Sequence, residues 1–152
     1  MTPEERLKER GLVLPSPRKP IGNYVGCVRT GNLVFVSGHG PDFEGGKEWR
    51  GKVGRDLTVD EGYAAAQQVV LNLLATLKGE IGELSRVRRI VKLLGMVNSA
   101  PDFGEQPKVI NGCSDLLEEL FGPRGKHARS AVGMAALPNG IPVEIEMIVE
   151  VE

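Results

Sequence analysis

The chain is poor in the residues that most metal, redox and nucleotide chemistry requires. Of its 152 residues only two are cysteine and two histidine. Cys27 and Cys113 give no disulfide framework and no metal quartet. They read as small, buried, inert apolar residues in a reducing, cytoplasmic compartment. His39 and His127 belong to no HExxH, and the chain has no CxxC and no GxxxxGK[ST]. Zincin, zinc-ribbon and P-loop chemistry therefore lack their motif residues, and the expectation is no metal. There is no apolar run long enough to span a bilayer and no signal-peptide core. A net charge of −1 gives no general electrostatic grip on nucleic acid. The cluster Arg86, Arg88, Arg89 and Lys92 has no aromatic residue among its charges, so it reads as a solvated strand edge rather than an RNA stripe.

What is present is ordinary globular material. Hydrophobic residues make up 41% and charged residues 26%, which at this length supports one core and is short for two domains. Thr2-Pro3-Glu4-Glu5 reads as a capped helix start, and Gly11 closes that short helix. Pro15, Pro17 and Pro20 keep residues 12–20 extended. Residues 1–20 are thus an arm lying over a single domain of residues 21–152. Tyr24 to Arg29 and Leu33 to Ser37 are strands joined by the two-residue turn Gly31-Asn32. The polar, glycine-rich segment from Asp42 to Arg55 predicts a loop with a short edge strand near Trp49 to Val53.

Thr58 and Glu61 form a second capping box. Ala66, Val70, Leu73, Leu74, Leu77 and Ile81 then fall on one helix face, with Gly79 or Gly82 at the end. Val87 to Val97 is nearly continuous in apolar residues after its two arginines, which predicts a strand buried on both faces. Pro107 opens a second long helix with Val109, Cys113, Leu116, Leu117 and Leu120 inward, stopped by Phe121-Gly122-Pro123. One sheet with two helices on one face is the simplest packing. The other sheet face then needs a cover, and self-association is the expected one.

The chain is organised around Ala128 to Glu146. Two apolar runs flank Leu137-Pro138-Asn139-Gly140, and Asn-Gly tolerates the positive φ of a tight turn. The reading is two neighbouring strands. Arg129 stands near the start of the first, in an uncharged run. Glu144 and Glu146 share one face of the second, since side chains alternate. A guanidinium and a carboxylate on such strands make either a cross-strand ion pair or a site for a small acid.

Ile21-Gly22-Asn23-Tyr24-Val25, Val36-Ser37-Gly38, Ala128-Arg129-Ser130, Leu137-Pro138 and Val143-Glu144-Ile145-Glu146 together resemble the Rid/YjgF family, also called L-PSP endoribonuclease-like, in order and spacing over most of residues 20–150. The resemblance implies an α+β fold of the chorismate-mutase-like kind, with a mixed sheet and two long helices packed on one face. It implies a homotrimer with ligand clefts between subunits, and hydrolysis of reactive enamines and imines, such as 2-aminoacrylate or 2-iminobutanoate, to a 2-keto acid and ammonia without a cofactor. By resemblance, Arg129 grips the substrate carboxylate and Glu144 orients the attacking water. Tyr24 is the cleft tyrosine, Gly38 after Ser37 is a backbone donor to the ligand, and Asn111 stands beside the cleft. Ala131 replaces the family's usual cysteine, and Asn23 replaces its usual proline. These departures, with the long 44–55 loop and the additions at 1–20 and 104–109, imply a divergent branch.

Each residue also has a plainer reading. Arg129 pairs with Glu144 or Glu146; Glu144 pairs across a strand face; Tyr24 is a core aromatic; Ser37 bonds locally at a strand end. His39, at a glycine-rich corner, reads better as a surface histidine than as a cleft residue. The competing functions are an imine deaminase, a module that binds 2-keto acids without turnover, and, less favoured, an RNA-cleaving protein.

Overall fold

The computed structural model describes residues 1–17 and 19–152, so Arg18 in the proline-rich arm lies outside the described residues. Both capping boxes form. Thr2 Oγ1 accepts from the Glu5 amide at 3.1 Å while the Glu5 carboxylate accepts from the Thr2 amide at 2.8 Å, starting helix α1, Pro3–Glu9. Thr58 and Glu61 make the same reciprocal pair at the start of α2, Val59–Ile81, which ends at Gly82 with φ 87°. The third helix, α3, runs Gln106–Phe121.

Five strands form one sheet: β1 (Cys27–Thr30), β2 (Leu33–His39), β3 (Val87–Asn98), β4 (Ala128–Met134) and β5 (Val143–Val151), in the order β1-β2-β5-β3-β4. Strands β1 and β2 are the expected hairpin, turning at Gly31 with φ 59°, but β1 begins at Cys27, so Tyr24 to Gly26, which the sequence predicts to open the strand, precede it. Helices α2 and α3 contact one another and the strands. Beneath them lie Val34, Val36, Ile90, Leu93, Val97, Val143, Ile145, Met147 and Val149, all buried. Each such side chain stabilises by roughly 1.5–3 kcal/mol before entropy is subtracted. Glycines set how closely the layers approach. A Cβ on Gly95 of β3 would stand 2.7 Å from Ile110 of α3, and one on Gly112 of α3 would stand 2.1 Å from the Tyr63 carbonyl of α2.

Four expectations need correction. First, β4 and β5 are not neighbours. Asn139 and Gly140 do turn with φ of 57° and 69°, but the connection crosses over β3, which pairs in parallel with β4 and antiparallel with β5. Second, β3 is not buried on both faces. Leu93, Gly95 and Val97 are buried against the helices, while Leu94 and Met96 are half-buried on the opposite, open face. The open face carries Val28, Phe35 and Val132 as exposed apolar side chains, so hydrophobicity there does not mean burial within one chain. Third, Trp49 to Val53 forms no strand; Val53 makes isolated bridges to Leu57 and Ser99, and the segment is otherwise a loop. Fourth, Cys27 is half-buried rather than buried. Arg88 and Arg89 are exposed on the part of β3 that β4 does not reach, the solvated edge their sequence predicted.

Candidate functional site

A cleft of about 590 Å³ opens at the end of β2 and the start of β5. Tyr24, Ser37, Gly38 and Glu144 line it, together with His39 and Glu146. Tyr24 is half exposed, so it is not a core aromatic; its hydroxyl accepts from the Ile21 amide at 3.4 Å. The Ser37 hydroxyl donates to the Val25 carbonyl at 2.7 Å, and the Ser37 amide to the Gly26 carbonyl at 2.9 Å. These bonds hold the chain before β1 against the end of β2.

Gly38 has a steric role that its type alone does not announce. A Cβ there would lie 2.3 Å from Glu144 Oε2 and 3.1 Å from its Cδ. The Glu144 carboxylate thus rests on bare backbone. Burial, and then the neighbouring Glu146, push the Glu144 carboxyl above the usual carboxylate range. Among the described residues no cation pairs with Glu144.

The cleft wall is fastened by His39, which the sequence places at the surface, and by Asn72 and Thr76, which no motif announces. His39 is 9% exposed, not a surface histidine. Its Nδ1 lies 2.6 Å from the Ser37 carbonyl and its Nε2 lies 2.8 Å from Thr76 Oγ1 on α2. A carbonyl only accepts, so Nδ1 carries the proton and Nε2 accepts from Thr76. Burial pushes this imidazole down, against the opposing pull of the Ser37 carbonyl, so it stands neutral. One turn earlier on α2, buried Asn72 donates to the carbonyls of Gly40 and Asp42 at 2.8 and 3.0 Å. The signal in the sequence was the pair itself: Asn72 and Thr76 are polar residues inside the apolar run of α2, and buried polar groups require partners.

Arg129, Asn111 and Ala131 form a second group, elsewhere on the sheet. Arg129 pairs in register with Leu93, which pairs with Met147, so its side chain leaves on the helix side. There NH1 donates to Ser114 Oγ at 3.1 Å and NH2 to the Pro107 carbonyl at 3.2 Å, both on α3. Asn111 lies on the same turn-to-turn face of α3, three residues before Ser114. Ala131, two residues on from Arg129, faces the same side opposite Gly95 and packs against the core. The anticipated ion pair to Glu144 or Glu146 is absent, and among the described residues no carboxylate pairs with Arg129.

Within one chain the two groups cannot serve one small ligand. Glu144 pairs with Met96, three residues along β3 from Leu93, and β3 separates the strands. Three residues of rise and two strand spacings put the Arg129 and Glu144 Cα atoms about 14 Å apart. Their side chains also point to opposite sheet faces. The Cys113 thiol, beside Arg129 on α3, is pushed up to about 12 by complete burial and stays neutral. No group of three or more His, Cys, Asp or Glu side chains able to hold a metal exists among the described residues. No helix among them is long and apolar enough to cross a membrane.

Comparison with known proteins agrees with this architecture. Residues 4–147 match the family described as "YjgF/chorismate_mutase-like, putative endoribonuclease". The chain is 44% identical to protein TCP17 of Trypanosoma cruzi over 95% of this chain and 91% of that one. It is 28% identical to a 2-iminobutanoate/2-iminopropanoate deaminase of Dermatophagoides farinae, over 95% and 98%. The crystal structure of Atu1372, a protein of unknown function from Agrobacterium tumefaciens, superposes with a TM-score of 0.92 at 46% identity, covering 99% of this chain and 92% of that one. The mixed α+β fold and the match over nearly the whole length place this chain in the YjgF/chorismate-mutase-like family.

Proposed function

We propose that the protein hydrolyses reactive imines of small amino-acid-derived acids to 2-keto acids and ammonia, in clefts between the subunits of a homotrimer. The observation that carries this reading is Glu144: a half-buried carboxylate, set on Gly38 in a cleft and, among the described residues, paired with no cation. A carboxyl with a raised pKa moves protons nearer neutrality than an ordinary one. An imine carbon is already electrophilic. In the proposed reaction Glu144 takes a proton from water as its oxygen bonds to that carbon, then returns the proton to the nitrogen. Glu144 then passes the carbinolamine's O–H proton to the nitrogen, the C=O of a 2-keto acid forms as the C–N bond breaks, and ammonia leaves. Atoms balance with water alone as co-reactant.

Arg129 supplies the substrate's anchor. A guanidinium has five N–H donors. Two are spent on Ser114 and Pro107, which leaves three for a planar carboxylate. The opposite facing of Arg129 and Glu144 supports a shared site, in which the Arg129 edge of one subunit closes the Glu144 cleft of the next. The exposed Val28, Phe35 and Val132 on the open face support the same assembly. Tyr24, Ser37 and Gly38 would contact the ligand from the first subunit, and Asn111 and Ala131 from the second. The deaminase named among the relatives is consistent with this chemistry.

Ala131 favours a second reading, in which the cleft binds 2-keto acids without turnover. Stopped-flow hydrolysis of an imine generated in situ by an amino-acid oxidase separates the two. Acceleration over buffer, lost in Arg129→Ala without loss of the trimer, supports the enzyme. No acceleration across several imino acids, with 2-oxobutanoate still bound in calorimetry, supports the binder. Among the described residues His39 is held by Thr76 and His127 by Ser114, at separate places, so they give no histidine pair in support of RNA cleavage.

A further inference from the structure

We propose that Ser114 and His127 are positioning residues for Arg129, forming a relay that sets the plane in which its guanidinium meets a carboxylate; this rests on the reading of Arg129 as the substrate anchor. Neither residue belongs to the motifs that carry the family likeness. Ser114 is buried on a face of α3 otherwise filled by Val109, Ile110, Cys113, Leu116 and Leu117. A hydroxyl at such a place destabilises unless it is bonded, so its bonds bear on its use.

Those bonds form one ordered chain. His127 Nδ1 lies 2.6 Å from the Gly125 carbonyl, and its Nε2 lies 2.8 Å from Ser114 Oγ. Arg129 NH1 donates to the same Oγ at 3.1 Å. The carbonyl can only accept, so Nδ1 carries a proton and donates to it. The guanidinium can only donate, so Ser114 Oγ accepts from Arg129 and keeps a second lone pair and its own proton for the His127 contact. Ser114 Oγ thus stands between the guanidinium and the imidazole and is bonded to both. The far end of the chain is fixed, because Gly125 is pressed on α3; a Cβ there would lie 2.4 Å from the Leu117 carbonyl. The near end is fixed by the Pro107 carbonyl, which receives NH2 at 3.2 Å. Two points held on one planar fork determine its orientation, and orientation decides whether the remaining donors meet both oxygens of a carboxylate.

The test uses the full chain, with 2-oxobutanoate as calorimetric probe and an imine generated in situ as substrate. Arg129→Ala is the reference, expected to lose detectable binding. Ser114→Ala and His127→Phe are each expected to raise Kd and KM about tenfold with kcat within about threefold, because an anchor that holds ground and transition states alike acts on KM. Ser114→Thr restores the hydroxyl and should recover most of the affinity, which a general packing defect would not allow. The double variant should bind no more weakly than Ser114→Ala alone, since the two residues act as one unit. His127 is only half-buried, so His127→Phe decides the matter if Ser114→Ala fails to fold. Wild-type Kd and KM in Ser114→Ala, or in His127→Phe where that decides, with binding abolished in Arg129→Ala, would overturn the relay and leave the anchor standing. Wild-type binding in Arg129→Ala would remove both.

Discussion

Replacing Gly38 by alanine separates the position of Glu144 from its charge. The added Cβ would stand 2.3 Å from Glu144 Oε2, 3.1 Å from Cδ and 3.3 Å from Cγ, where ordinary contact begins at 3.4 Å. The carboxylate must therefore move by about 1 Å, and a displacement of that size costs on the order of a hundredfold in rate when the group handles the reacting proton. The fold should not suffer, because the clash is with the end of a flexible side chain and Gly38 is not among the glycines with positive φ. Alanine also restricts the unfolded chain, which stabilises by about 0.4–1 kcal/mol. The expected result is kcat down about a hundredfold, a midpoint of thermal unfolding equal to or slightly above wild type, and a Kd for 2-oxobutanoate raised far less than kcat falls, because the Arg129 anchor is untouched. Steady-state kinetics on an in-situ imine, calorimetry and a thermal melt read the three quantities. Wild-type kcat in Gly38→Ala would show that the placement of Glu144 is irrelevant to turnover. An unfolded variant would show that the backbone, not the carboxylate, is the rigid partner.

Arg129→Lys keeps the charge but loses the planar fork, so 2-oxobutanoate binding should weaken about tenfold or more by calorimetry; equal affinity would reduce Arg129 to a point charge. Glu144→Gln should change stability with pH in a definite direction. A carboxyl whose folded pKa is raised binds its proton more tightly in the folded state, so its stabilising contribution is present below the ordinary value of 4.5 and lost as pH rises through the folded value. The variant should therefore be more stable than wild type in urea at pH 7, with the gap closing by pH 4; parallel curves across that range would contradict the burial of Glu144.

Much of the fold was legible because local chemistry and tertiary packing agree. Thr2 with Glu5 and Thr58 with Glu61 cap helices wherever they occur, and the apolar stripe of α2 lies under the core as its spacing predicts. What failed depended on pairings across the chain. Asn139-Gly140 makes a local turn of the expected kind, yet nothing local says that β3 will enter between the strands it joins. The apolar run of β3 looked doubly buried because a sequence records hydrophobicity and not what covers it; Leu94 and Met96 face the open side. His39 looked exposed because its glycine neighbours signal a loop, whereas Thr76, 37 residues away, takes its ring into the core. Of the site residues, Tyr24, Ser37, Gly38 and Glu144 meet in one cleft, and Arg129, Asn111 and Ala131 meet near α3. The motif spacing carried the membership of each group but not their separation, which is a property of strand order.

That separation supports a final prediction about which chain supplies which residue. If one cleft takes Glu144 from one subunit and Arg129 from its neighbour, two inactive variants complement each other. Arg129→Ala still offers an intact Glu144 half, and Glu144→Gln still offers an intact Arg129 half. Refolding or subunit exchange at equal amounts fills each half at random, so about one cleft in four joins the two intact halves in a cyclic homo-oligomer. Activity per chain should return to about a quarter of wild type, from a baseline near that of buffer, and the fraction should follow the product of the two mole fractions as the ratio is varied. The curve has its maximum at equal amounts. A site built within one chain would give no recovery at any ratio, since every cleft would then lack one group. Either outcome is read from the shape of the curve and does not depend on knowing the natural substrate, so any imino acid that the wild type turns over will serve.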